Sequence, residues 1–155
     1  MKVLIRSVRI IDKNSSFHDQ VRDMLIVDGK IVQIGENLQA DDAEIKEGNG
    51  LCVSVGWIDM RVASRDPGFE HKEDLTSVRE TAARGGFTEI VLLPNTQPVV
   101  DSKDTLNYIR QSGRSSLVKL HVAAAVTKKT DGVDFTEMIE YLKTNFALVY
   151  KTIKW

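Results

Sequence analysis

The side chains able to do chemistry are few and unevenly spread. Three histidines stand at positions 18, 71 and 121, and no His-x-His pair occurs anywhere in the chain. His121 lies within Leu120-His121-Val122-Ala123, the setting of a satisfied core or rim histidine. His71, in Phe69-Glu70-His71-Lys72-Glu73, reads as an exposed polar residue at a helix start, and His18 belongs to a polar loop. Cys52 is the only cysteine, which excludes an intrachain disulfide and any cysteine-based zinc knuckle. Gly-rich phosphate cradles, Ser-His-Asp arrangements and nucleotide fingerprints are absent. The informative stretch runs from Gly56 to Asp74, followed by Leu92-Leu93-Pro94-Asn95-Thr96-Gln97-Pro98.

The elements that would carry these residues change character along the chain. The first 50 positions read as β structure. Val3 to Ile11 is rich in branched residues, and Met24-Leu25-Ile26-Val27 and Lys30 to Gly35 flank Asp28-Gly29. That dipeptide between two apolar runs signals a type I′ hairpin. Asn37 to Gly50 is a polar loop with a short edge strand. Leu51 to Arg61 is a largely apolar run, as expected of a strand covered on both faces. A helix is expected over about Glu73 to Arg84, with Leu75, Val78, Ala82 and Ala83 inward and Gly85-Gly86 as its stop. Phe87 to Leu93 is a buried strand. Asp101 to Gln111 is a second helix, with Leu106, Ile109 and Tyr108 inward and Gly113 as its stop. Leu117 to Val126 is a third strand. Asp134 to Glu137 resembles a capping box, opening a helix with an apolar stripe of Phe135, Met138, Ile139 and Leu142. Ala147 to Tyr150 opens a fourth strand.

Strand and helix alternating at roughly 30 residues means βαβ units and a parallel sheet. A closed (β/α)₈ barrel takes about 250 residues, so 155 residues supply only its first half. A doubly wound open sheet fits the length better on periodicity alone, but periodicity does not choose between them. The formal net charge of −1 provides no basic footprint for nucleic acid. Charged residues make up 28% and hydrophobic residues 42%, which argues against wholesale disorder, and no apolar run is long enough to span a bilayer. Arg6 interrupts the N-terminal apolar run early, so no secretory signal is read there and a reducing cytoplasm is the expected compartment.

The stretch Gly56-Trp57-Ile58-Asp59-Met60-Arg61-Val62-Ala63-Ser64-Arg65-Asp66-Pro67-Gly68-Phe69-Glu70-His71-Lys72-Glu73 resembles the dihydroorotase signature of the cyclic amidohydrolases. That signature places Asp-x-His-x-His-x-Arg before an acid-Pro-Gly turn. Leu93-Pro94-Asn95-Thr96-Gln97-Pro98 resembles the family's second marker, Met-Pro-Asn-Thr-x-Pro. The resemblance implies an α/β fold, the first half of a (β/α)₈ TIM-type barrel preceded by a small β-sandwich or hairpin region. Residues 1–52 would form the N-terminal β-rich subdomain and 53–155 the first βα units. It also implies zinc-dependent ring closure and opening between N-carbamoyl-aspartate and dihydroorotate, in which metal lowers the pKa of bound water and polarises the scissile carbonyl.

The paired-histidine positions of that signature are Arg61 and Ala63 here. A methyl group offers no donor, and a guanidinium stays protonated and repels a cation. No metal site of the family's kind is therefore expected, and no cofactor for this chain, where the family uses zinc. Arg65 matches the family arginine that grips the substrate carboxylate, and Asn95 the asparagine that orients it. Arg61 reads as a cation standing where metal charge would sit, as a drifted position, or as an arginine snorkelling to the barrel rim. Lys151, in Val149-Tyr150-Lys151-Thr152-Ile153, faintly resembles the metal-bridging lysine of hydantoinase-type relatives and reads more simply as a solvated lysine. The family's later ligands and catalytic aspartate would lie past position 155, so the chain is expected to be the N-terminal part of a longer polypeptide or a fragment sustained by a partner.

The expectation is an inactive dihydroorotase-like pseudo-enzyme with a scaffold role, partnered by further copies, aspartate transcarbamoylase or an active paralogue. A complete form acting as a zinc-dependent cyclic amidohydrolase, and a non-catalytic module for a small carboxylate ligand, are the rivals.

Overall fold

Branched and aliphatic residues dominate the first eleven positions, and they form the longest strand among the described residues. The computed structural model describes residues 1–112, 116–142 and 147–150. The chain divides into two units, Met1–Val55 and Gly56–Trp155. In the first, β1 (Lys2–Ile11) pairs antiparallel with β2 (Val21–Val27), which pairs antiparallel with β3 (Lys30–Gly35). The β2–β3 turn is Asp28-Gly29, with φ +49 and +76 as a type I′ hairpin requires. The polar segment after β3 contributes β4 (Glu44–Glu47), parallel to β1, and β5 (Cys52–Ser54) also runs parallel to β1. Leu4, Val8, Ile10, Met24 and Leu38 are the buried apolar residues of this unit. Buried Asp23 accepts from Ser7 N and Leu38 N, both at 3.0 Å, at the bulge between Ile5 and Val8.

The apolar run Leu51 to Arg61 is therefore two strands, not one. Its first part joins β1, so the boundary between units follows Val55 and not Cys52. Its second part is β6 (Trp57–Val62), where Trp57, Ile58 and Met60 are exposed, not covered on both faces. β6 borders the second sheet as described, with a strand partner on one side only.

That sheet runs β6, β7 (Phe87–Leu92), β8 (Lys119–Ala125), β9 (Ala147–Tyr150), every pair parallel and every neighbour next in sequence. A doubly wound sheet reverses its strand order at a switch point. Here the order advances in one direction, as a barrel wall does. α1 (Leu75–Arg84), α2 (Lys103–Gln111) and α3 (Met138–Leu142) supply the crossovers. Leu75, Val78, Leu106, Ile109 and Tyr141 from the helices pack with Ile90, Leu92, Val118, Val122 and Ala124 in one cluster. All three helices thus cover the same face of the sheet. Alternation along the strands turns Glu89, Val91, His121, Ala123 and Ala125 to the other face.

α1 begins two residues later than the sequence suggests because Asp74 is its N-cap. The Asp74 carboxylate accepts from Thr76 N (2.9 Å) and Ser77 N (2.7 Å), and Ser77 Oγ closes the capping box. Gly85 caps the other end, as expected. Ala83 is exposed, and buried Arg79 takes the inward place, donating to Ser112 O (2.9 Å) at the end of α2. The N–H groups of Ser77 and Thr76 hold the Asp74 carboxyl below its usual range. Asp74→Ala is expected to lower the thermal midpoint measured by circular dichroism. Because the native pKa is depressed, the deficit is full above the ordinary aspartate value of about 3.9 and disappears as pH falls through the lower native value.

The expected capping box at Asp134 does not form. Asp134 O accepts from Lys128 N (2.8 Å), Phe135 bridges Thr127, and Thr136 Oγ1 donates to Ala125 O (2.7 Å). These bonds keep 134–136 out of the helix, which begins at Met138. Phe135 and Ile139, expected inward, are 70% and 73% exposed, while Thr136 and Tyr141 are buried. Tyr108 is also not a core residue; its ring is half exposed. Gly113, Lys151 and Thr152 lie outside the described residues. Among the described residues no helix is long and apolar enough to cross a membrane.

Candidate functional site at the strand ends

The site is built where β6 and β7 end. Val62 packs against the helix-side core, and its carbonyl accepts from Leu93 N (2.8 Å), locking the two strand ends together. Arg61 and Ala63 flank Val62 in sequence, Arg61 within the irregular part of β6. A register shift between Asp59 and Val62 inserts a residue into β6, and Asp59 Oδ1 accepts from Arg61 N (2.9 Å) across it. Bulges of this kind re-aim side chains at strand ends. Arg61 is exposed, and Ala63 follows directly after the strand.

The next seven residues form a loop held from several directions. Ser64 is fully buried and donates from Oγ to Asp66 O (2.9 Å). Arg65 adopts φ +62, which costs a non-glycine residue about 1 kcal/mol, and its carbonyl accepts from Phe69 N (2.8 Å). Asp66 is 5% exposed; one carboxylate oxygen accepts from Leu75 N (3.2 Å) and the other from the Tyr108 hydroxyl (2.9 Å). That bond to a carboxylate raises the Tyr108 pKa above its ordinary value. Gly68 N donates to Glu70 Oε1 (2.7 Å), which keeps the Glu70 carboxyl below the usual range.

The loop after β7 meets this one directly. Gln97 N donates to Pro67 O (2.9 Å), and Gly68, at φ +102, lies so close to Gln97 that an added Cβ would stand 2.1 Å from its carbonyl oxygen. Thr96 is buried and bonds Pro98 O (2.7 Å). Arg65 and Asn95 are therefore exposed residues on two loops fastened to each other. His71 and His18 are exposed and distant in sequence from any partner histidine.

Sequence reasoning missed three groups here. Asp66 and Tyr108 are one. Arg79 is the second, although the spacing of Leu75, Val78 and Ala82 places position 79 on the same helix face. The third is Glu89 on β7, paired with His121 and, at 3.6 Å, with Lys119 on β8. The Glu89 carboxyl is held below its ordinary range, first by His121 and then by Lys119. An acid and a histidine inside two adjacent apolar strands were the available signal.

A profile of the family described as "Dihydro-orotase-like" matches residues 50–153. The chain belongs to this family. Dihydroorotase of Clostridioides difficile (strain 630) is 39% identical over 137 residues, which is 88% of this chain and 32% of that protein. Dihydroorotase of Solibacter usitatus (strain Ellin6076) is 43% identical over 133 residues, 85% of this chain and 31% of that one. Among solved structures, a D-hydantoinase superposes with TM-score 0.68 at 25% identity, covering 93% of this chain and 30% of that one. A dihydroorotase crystal structure, at 17% identity and TM-score 0.58, covers 83% of this chain and 32% of its own. The chain thus spans about a third of the length of the relatives it matches, consistent with part of a barrel.

Zinc is the metal the dihydroorotase-like resemblance implies, and the residues present do not suit it. Arg61 and Ala63 supply a fixed positive charge and a methyl group. Among the described residues no group of three or more His, Cys, Asp or Glu side chains gathers in a way that could hold a metal ion. Asp59, Asp66 and Glu70 accept from backbone N–H groups, Asp66 also from the Tyr108 hydroxyl, and Glu89 is paired with His121 and Lys119.

Proposed function

We propose that this dihydroorotase-like chain does not perform the metal-assisted ring chemistry of its relatives through its own residues. It serves as a carboxylate-binding and scaffolding part of a cyclic amidohydrolase assembly. The observation that supports this reading is the pair of residue types at the end of β6, a guanidinium at position 61 and a methyl group at 63, where the resemblance implies two histidines. Around them the frame is intact: the β6 and β7 loops are joined, and Arg65 and Asn95 extend from them. Such a frame binds a small carboxylate ligand through Arg65's paired N–H groups and the Asn95 amide. Its scaffold partners would be further copies of the chain, aspartate transcarbamoylase or an active paralogue, and its setting the cytoplasm.

The test combines elemental analysis with an assay on the polypeptide as it is made. After equilibration with zinc and removal of excess, the protein is expected to retain no more metal than a buffer control. Dihydroorotate is expected to open at its uncatalysed rate. Stoichiometric zinc with turnover would overturn the reading and restore the rival of an active zinc-dependent hydrolase.

A further inference from the structure

Asn49-Gly50 is the one asparagine–glycine pair in the sequence, and it lies in the turn between β4 and β5 of the first unit. Leu51 N donates to Gly48 O (2.9 Å), which makes Asn49 and Gly50 the two central residues of that turn. Gly50 has φ +78, the positive value that the third residue of a type II turn requires. Both residues are exposed, and an added Cβ on Gly50 would meet nothing within 4 Å. Among the described residues the Gly50 N–H has no acceptor. An unengaged backbone nitrogen, the side-chain amide of the residue before it and an open approach are thus brought together. The other described asparagines lack this combination. Ser15 N, after Asn14, donates to Asp12 O (3.0 Å), and Leu38 N, after Asn37, donates to buried Asp23 (3.0 Å). Asn107 lies inside α2, and Asn95 precedes the buried, branched Thr96.

We propose that Asn49 is a site of spontaneous covalent modification, where the residue converts to aspartate and isoaspartate through a cyclic imide. Gly50 N gives its proton to water or hydroxide and attacks Asn49 Cγ; the Cγ–Nδ2 bond breaks and ammonia leaves. Water then opens the imide. Cleavage between Gly50 N and Cγ gives aspartate, and cleavage between Gly50 N and the Asn49 main-chain carbonyl carbon gives isoaspartate. No oxidant or reductant takes part. The isoaspartyl product adds one main-chain carbon to a turn that is held at both ends. Before it, Gly48 N donates to Arg6 O (2.7 Å), and an added Cβ on Gly48 would stand 2.7 Å from that oxygen. After it, Leu51 O accepts from Arg9 N (3.0 Å). β4 and β5 are both registered against β1, at Glu47 beside Arg6 and at Cys52 beside Arg9. The lengthened turn loosens one of these attachments, so the first unit weakens as the molecule ages. This behaviour is independent of the ligand chemistry proposed for the second unit.

Peptide mapping by mass spectrometry of the whole chain, held folded in mildly alkaline buffer for days, reads the conversion. Trypsin releases residues 47–61, which contain Asn49 as their only asparagine. This peptide is expected to lose ammonia at least about tenfold faster than those carrying Asn14, Asn37, Asn95 or Asn107. A carboxyl methyltransferase specific for isoaspartate should label it, and mildly acidic buffer should slow the conversion. Asn49→Gln should stay intact, because its longer side chain would have to close a larger ring. Asn49→Asp, which adds the charge without the extra carbon, should keep the thermal midpoint of fresh protein. Aged protein rich in isoaspartate should unfold at a lower temperature. The inference is overturned if residues 47–61 keep their amide in the folded protein, with urea-unfolded chain as the positive control. It is overturned equally if isoaspartate-rich protein unfolds at the midpoint of fresh protein.

Discussion

Gly68→Ala is expected to destabilise the second unit by about 3 kcal/mol or more. Two costs combine at this position. The backbone at φ +102 is one that L side chains rarely adopt, and the new methyl would meet Gln97 O at 2.1 Å and Gln97 Cβ at 2.6 Å. Neither atom is the free end of a flexible side chain; one is backbone and the other is fixed to it. Relief requires the two loops to separate, which breaks the bond from Gln97 N to Pro67 O and moves Arg65 away from Asn95. Gly86 provides the comparison within the same unit. It has φ +81 but nothing within 4 Å of an added Cβ, so Gly86→Ala should lose only about 1 kcal/mol. Urea unfolding followed by circular dichroism measures both, and similar midpoints for the two variants would show that the loop contact is unimportant.

Asp66→Ala is expected to lose about 2–4 kcal/mol, because it leaves the Leu75 N–H and the Tyr108 hydroxyl without their acceptor and removes a negative charge near buried Arg79. Asp66→Asn should be milder, since an amide oxygen still accepts one of the two bonds. Tyr108→Phe removes only the hydroxyl and should lose about 1 kcal/mol. Chemical denaturation of the three variants checks this order. Equal stability of Asp66→Ala and Tyr108→Phe would mean that the bond to the start of α1 contributes nothing.

Local patterns made much of the frame legible. Asp28-Gly29 announced its hairpin, since turn chemistry resides in the two residues themselves. Leu75, Val78, Gly85 and Gly86 placed α1 to within two residues, because the amphipathic period and the stop signal agree. The barrel-type sheet followed from strand–helix alternation together with the signature around Asp59 and Asp66. What failed depended on distant partners. Periodicity could not show that Cys52–Ser54 and Trp57–Val62 pair with different sheets. The motif at Asp134 looked like a cap, but Lys128 N and Ala125 O take up its polar groups first. Tyr108 was placed inward by helical spacing, whereas its hydroxyl is drawn to Asp66 far back in the chain. At the candidate site, residue types indicated what positions 61 and 63 cannot do. The clasp between Pro67 and Gln97 left no local trace.

That clasp has a consequence for how this part of the molecule can change. None of the bonds shaping the two loops uses a side chain at position 61 or 63. The shape of the two loops is therefore carried by residues other than the side chains at positions 61 and 63. New chemical groups can be tried at those two points while the surrounding enclosure keeps its form, and folding imposes little selection on which groups they are.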